Sequence, residues 1–149
     1  MTPTTTTTSE ALAARLRLAV TRLARRLRQQ SAEGLSPSQT AALSTIERHG
    51  PLSPSELASI ERIQRPTATR VLGALIERGL VARAADPADG RSSRVSVTGA
   101  GAALLRRGRS RKDAYLHMRL RRLAPADIEA LARAVQVIER LLQDEEPDR

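Results

Sequence analysis

Residues 52–98 read LSPSELASIERIQRPTATRVLGALIERGLVARAADPADGRSSRVSVT, and the capping and turn residues in this stretch decide the fold. Ser53-Pro54-Ser55-Glu56 places a hydroxyl at an N-cap, a proline at the first helical position and a carboxylate at the third. That spacing satisfies the orphan amides at a helix start, and it predicts a short helix through Leu57, Ala58 and Ile60. A turn is expected over Arg62–Arg65. Pro66 then opens a second helix that runs to Arg78 and stops at Gly79, a residue suited to left-handed backbone. With Leu72 at the centre of its buried face, Ala68, Leu75 and Ile76 lie beside it. Pro66, Thr67, Arg70, Ala74 and Glu77 lie opposite. Leu80–Arg83 reads as a short strand. Asp86-Pro87-Ala88-Asp89-Gly90-Arg91 is dense in turn formers, and Arg94–Val97 alternates like a returning strand. The expected product is a β-hairpin with a basic tip.

Working outward, the same capping device occurs at Ser36-Pro37-Ser38-Gln39. It opens a helix through Leu43 and Ile46 to about Arg48, which Gly50-Pro51 stops. Further upstream, Leu12, Leu16, Val20, Leu23 and Leu27 form one helical face in a segment expected to start at Ser9, end near Gln30 and leave Gly34 in the loop beyond. Its arginines at 15, 17, 22, 25, 26 and 28 lie mostly off that stripe and read as a solvated face. Residues 1–8 read as a disordered Thr-rich leader with neither the basic nor the apolar run of a signal peptide. Downstream, Thr98 caps a long helix from about Gly99 to Arg122, whose N-terminal half is weakened by Gly99, Gly101 and Gly108. Pro125 starts a last helix, in which Ile128, Leu131, Val135, Ile138 and Leu142 make a narrow seam like that of a coiled coil. The expected fold is mainly α with a small β-hairpin wing. It has a winged helix-turn-helix core (36–98) flanked by N-terminal (9–35) and C-terminal (99–149) dimerisation helices.

The chain has 149 residues, enough for one ordinary domain. It has no Phe, Trp or Cys and a single Tyr, Tyr115. The core must therefore be aliphatic, and thiol chemistry, disulfides and cysteine-based zinc sites are excluded. No apolar stretch is long enough for a membrane span, and a cytoplasmic protein is expected. His49 and His117 stand apart, without the partners of a triad or a metal site, and no Gly-rich phosphate loop is present. The sequence thus points away from an enzyme and from any cofactor or metal. Lys+Arg total 25 against 16 acids, a net charge of +9, and every cation but Lys112 is Arg. From Pro125 onward there are seven acids and three Arg, a net −4, so the first 124 residues carry +13. Residues 62–111 alone hold eleven Arg and three acids. An excess placed there fits a polyanion, most simply nucleic acid.

In a winged helix-turn-helix the second helix enters the major groove, which is about 12 Å wide, and the wing lies along the backbone or adjacent minor groove. The stretch Thr69-Arg70-Val71-Leu72, Leu75, Glu77-Arg78-Gly79-Leu80-Val81 and Arg83 resembles the recognition helix and exit strand of the MarR family of bacterial transcriptional regulators. Asp86-Pro87, Asp89-Gly90-Arg91, Val95-Ser96-Val97-Thr98 and Gly101 resemble that family's wing and the start of its fifth helix. The likeness spans nearly all of residues 9–145. It departs at Gly90, where many members carry a basic residue, so either Arg91 serves at the tip or the tip simply turns.

The resemblance implies a homodimeric, sequence-specific repressor on a pseudo-palindromic double-stranded operator, relieved by a small anionic or lipophilic effector. The DNA-binding residues are expected to be Arg65, Pro66, Thr67, Thr69 and Arg70 on the recognition helix, with Arg91 and Arg94 on the wing. Arg78 and Arg83 are read as solvated or paired with Asp86. Arg91 is also expected to bond Asp86 or Asp89 across the wing. The basic run at 106–112 is read as approaching phosphate or balancing the acidic C-terminus of a partner subunit. Two rival readings are a protein that coats DNA without sequence preference and a winged-helix protein-interaction module, the latter leaving the positive charge unexplained.

Overall fold

The computed structural model describes residues 4–31, 33–86, 88, 90 and 93–143. Helix α1 spans Thr4–Ser31, α2 Pro37–His49, α3 Pro54–Ile60 and α4 Arg65–Glu77. Strands β1 (Val81–Ala85) and β2 (Ser93–Val97) follow, then α5 (Gly99–Leu120) and α6 (Pro125–Gln143). The chain divides into two compact units at Lys112/Asp113.

Both Ser-Pro boxes close as their sequence demands. Ser36 Oγ accepts the Gln39 amide at 3.2 Å, and the Gln39 side chain accepts the Ser36 amide at 2.9 Å. Ser53 and Glu56 repeat this at 3.2 and 2.7 Å. At α4 the cap is Gln64, without a side-chain bond, and the helix begins at Arg65, one residue before Pro66. Between α3 and α4 the chain turns through Arg62, whose φ is 52°. The Ile63 amide then reaches back to the Ala58 carbonyl at 3.0 Å.

Other boundaries also differ from the sequence expectation, β1 running Val81–Ala85 rather than Leu80–Arg83. Helix α1 starts at Thr4, inside the stretch read as a disordered leader. Once the Glu10–Gln30 segment is helical, adding a threonine to its end costs only a few tenths of a kcal/mol in propensity, because nucleation is already complete. Helix α5 ends at Leu120 rather than Arg122, as the amides of Arg122 and Leu123 tighten onto carbonyls three residues back.

The hairpin is antiparallel in the register Val81↔Val97, Arg83↔Val95 and Ala85↔Ser93. Leu52 adds a bridge that the sequence did not announce. Its amide and carbonyl pair with Val95 at 3.1 and 2.8 Å, binding the hairpin to the segment between α2 and α3. Thr45 Oγ1 donates a hydrogen bond to Glu61, tying α2 to the helix-turn-helix turn.

The hydrophobic core is wholly aliphatic. Leu43, Ile46, Leu57, Leu72, Leu75 and Val95 are its largest fully enclosed side chains. Each fully buried Leu or Ile contributes about 1.5–3 kcal/mol relative to exposure. The core continues past Thr98 through Leu104 and Leu105 of α5. Gly101 makes this possible, because a Cβ there would lie 2.2 Å from the Leu80 carbonyl oxygen. What reads in sequence as a weak helix start is a close backbone approach.

Candidate nucleic-acid interface

The outward face of α4 is built by its buried one. Ala68, Val71, Leu72 and Leu75 are pinned in the core. This leaves Arg65, Pro66, Thr69 and Arg70 exposed near the N-terminal end, with Thr67 half-buried beside them. The guanidinium groups of Arg65, Arg70 and Arg83 have no hydrogen bond or ion pair among the described residues. Thr69 donates its hydroxyl proton to the Arg65 carbonyl at 3.1 Å, so toward a ligand it is chiefly an acceptor. The five α4 residues singled out in the sequence therefore occupy one end of one helix, four of them exposed.

Of the two wing residues, Arg91 lies outside the described residues. Arg94 is turned back onto the chain. Its Nε donates to Asp86 at 3.0 Å, and Nη1 donates to the Pro51 carbonyl at 3.0 Å and to Glu56 at 3.1 Å. The Asp86 hydrogen bond, and then the Glu56 charge, raise its pKa above the ordinary guanidinium value. Arg94 braces β2 against the start of α3. Asp86 also accepts the Ala88 amide at 2.9 Å, which shapes the turn out of β1. Gly90 is exposed, and a Cβ there would meet open space.

Other cations are committed within the chain, unlike the sequence reading. Arg78 is exposed but not on Asp86; it donates to the carbonyls of Gly34 and Glu33 at 2.7 and 2.9 Å. In the basic run of α5, Arg107 and Arg111 both bind Glu33, and Arg109 binds Glu47 at 2.8 Å. The Arg107 and Arg111 hydrogen bonds hold the Glu33 carboxyl at about 2, well below the usual carboxylate range. The Arg109 hydrogen bond likewise lowers Glu47. Glu33 and Glu47 carried no signal in sequence, since their partners lie 62–78 residues away.

A cleft of about 380 Å³ opens beside this network. Ser31, Thr40, Ser44, Leu104, Leu105 and Lys112 are among its lining residues. In the unit from Asp113 onward, the Arg119 guanidinium lies 5.0 Å from the Tyr115 ring centre. Among the described residues no cluster of His, Asp or Glu could hold a metal ion, and no helix is long and apolar enough to cross a membrane.

A helix-turn-helix with an outward basic face, followed by a two-stranded wing, defines a winged-helix protein of the DNA-binding kind. The family model for MarR matches residues 35–93. An HTH-type transcriptional regulator of Mycobacterium tuberculosis is 39% identical over 137 residues, 91% of this chain and 95% of that protein. A Pseudomonas aeruginosa structure described as a transcriptional regulator is 34% identical, with a TM-score of 0.81 over 91% of this chain and 96% of that one. The chain belongs to the MarR family of transcriptional regulators. At the level of fold alone, a mutant of S. aureus MepR bound to an oligodeoxyribonucleotide is similar. It is 18% identical, with a TM-score of 0.70 over 88% of this chain and 97% of that one.

Proposed function

We propose that the protein is a homodimeric repressor that reads a pseudo-palindromic duplex operator and is released by a small-molecule effector. The observation that carries this reading is the uncommitted cationic end of α4. Among the described residues Arg65 and Arg70 are exposed and unpaired there, while Arg78, Arg94, Arg107, Arg109 and Arg111 are each held by the chain's own oxygens. Arg70 reads a guanine edge, Arg65 and Thr67 hold phosphate, and Pro66 and Thr69 pack along the groove. Arg91 supplies the wing contact, which Arg94 positions rather than makes.

Residues 36–98 form the DNA-contacting lobe, with residues 9–35 and 99–149 building the dimer. Exposed apolar side chains support this: Leu12 (60%), Leu23 (46%), Leu131 (43%) and Leu142 (64%) all lie on the stripes expected to seam two chains. Helix α6 buries none of its residues within its own chain. The effector site is the cleft beside α2 and α5. Leu104 and Leu105 offer aliphatic surface there and Lys112 a cation, a combination suited to a small lipophilic anion.

The test is a titration of upstream and random duplexes at two salt concentrations. A regulator prefers its operator by at least about 10³-fold, whereas a coating protein shows little preference and an interaction module binds neither duplex. Adding salicylate-like anions at millimolar concentration should weaken operator binding. Unchanged affinity would remove the effector from the reading.

A further inference from the structure

The loop between α1 and α2 grips two other helices through two consecutive residues. The Glu33 carboxylate spans one turn of α5. Arg107 donates to it through Nε at 3.2 Å and Nη2 at 3.0 Å, and Arg111 donates from the next turn. The backbone carbonyls of Glu33 and Gly34 both accept from Arg78. Gly34 has a φ of +73°, a left-handed conformation that a side chain at this position would oppose. Arg78 is the C-cap of α4, with Gly79 at φ +68° directly after it. The far end of the same helix carries Arg65 and Arg70.

We infer that Glu33 is a positioning residue for DNA reading, fixing the C-terminal end of α4 against α5 through the Glu33–Gly34 carbonyls and Arg78. The inference rests on the reading of α4 as the recognition helix. The geometry makes the joint a lever. Helix α4 has 13 residues and is therefore about 20 Å long, so freedom of about 1 Å at Arg78 tilts the helix by about 3°. Tilt changes the angle at which Arg65 and Arg70 meet the groove, and in a dimer it changes the separation of the two reading ends. The ion pairs themselves are half-exposed, with Arg107, Arg111 and Glu33 side chains 57%, 45% and 22% accessible. Pairs so exposed add little to global stability. A role in geometry can therefore be separated from a role in folding.

The experiment uses the full chain with Glu33→Gln, Arg78→Gln and the double variant. The amide introduced by Glu33→Gln keeps the backbone carbonyls but loses the charge that holds two arginines, and the shorter side chain of Arg78→Gln cannot span two carbonyls. Each protein is melted, then titrated against operator, random duplex, and operators with half-site separation changed by one base pair. Expected results are a melting point close to wild type, operator affinity weaker by about 10-fold, and random-duplex affinity held. The preference for the native half-site spacing should also flatten, and the double variant should resemble the singles because both act at one joint.

Glu33→Gln protein that melts normally and keeps its operator affinity and spacing preference overturns the inference. So does a large drop in melting point, which would make Glu33 a folding residue only. If wild-type protein itself shows no operator preference, the reading of α4 is what fails.

Discussion

Two glycine-to-alanine substitutions should move stability in opposite directions, and the structure sets the size of each. In an open helix interior this change stabilises by about 0.5–1 kcal/mol. Gly73 in α4 is such a site, since a Cβ there meets nothing within 4 Å. Gly101 is the opposite case. A Cβ would sit 2.2 Å from the Leu80 oxygen and 3.0 Å from Val97 Cγ1. The carbonyl cannot swing aside, because it accepts the Thr98 amide at 3.1 Å. Relief therefore needs the entry of α5 to retreat by about 1 Å toward ordinary contact. That retreat strains the cap in which Thr98 Oγ1 accepts the Gly101 amide at 3.1 Å and donates to the Gly79 carbonyl at 2.7 Å.

Overpacking costs about 1–3 kcal/mol and a lost cap about 1 kcal/mol, so a net loss of about 1–3 kcal/mol remains after the helix-propensity gain. For a chain of this length, each kcal/mol shifts melting by about 2–4 °C. Gly101→Ala should melt roughly 3–10 °C below wild type and Gly73→Ala about 1–4 °C above it. Circular dichroism melts at matched protein concentration make the comparison. A Gly101→Ala protein melting at or above wild type would refute the close approach of α5 to Leu80.

Arg70→Ala should relax base preference at one position per half-site, where a bidentate guanine contact is worth about 1–3 kcal/mol, while Arg91→Ala weakens all duplexes alike. Binding-site selection on both variants checks this, and reversed outcomes would mean the roles are exchanged. Gly90→Lys projects into open space at the wing and should steepen the salt dependence of DNA binding by about one phosphate contact; an unchanged slope would place the tip away from the backbone. Leu131→Asp with Ile138→Asp should abolish both dimerisation and DNA binding, and a folded wild-type monomer in micromolar sedimentation would defeat the premise. Acid should act through Glu33. Its carboxyl titrates at about 2 when folded against 4.5 as the free group, so its contribution is whole above about pH 5 and is lost as pH falls through 4.5 toward 2. The difference in denaturant midpoint between wild type and Glu33→Gln, small even at neutral pH because the pairs are exposed, should accordingly vanish over that window, and a difference that persists at pH 2 would show that the ion pairs do not set it.

Much of the candidate interface was legible because its elements are made by local chemistry. Two Ser-Pro boxes placed α2 and α3, and the period of Ala68, Leu72 and Leu75 turned Arg70 outward. Gly79 and the Asp86–Gly90 turn formers bounded the wing. What escaped was the disposition of charge. A guanidinium has reach enough to find many acceptors, and nothing near Arg78, Arg94 or Arg107 in sequence names the oxygen each one chooses. Arg94 looked like a wing contact because it sits on a basic hairpin. Pro51 and Glu56, 43 and 38 residues away, hold it back against the chain.

The order of elements, an aliphatic core without aromatics and the resemblance to the MarR family could all be read from the chain alone. They follow from hydrophobic period, caps and turn residues, which act over a few positions at a time. Packing in three dimensions was needed to show which acceptors hold Arg78, Arg94, Arg107, Arg109 and Arg111, that Leu52 pairs with Val95, that Gly101 is a contact rather than a weakness, and that Glu33 joins α4 to α5. Each of these depends on groups far apart in the chain meeting in space. Such meetings are set by how the aliphatic faces pack, and local patterning leaves the partner unspecified.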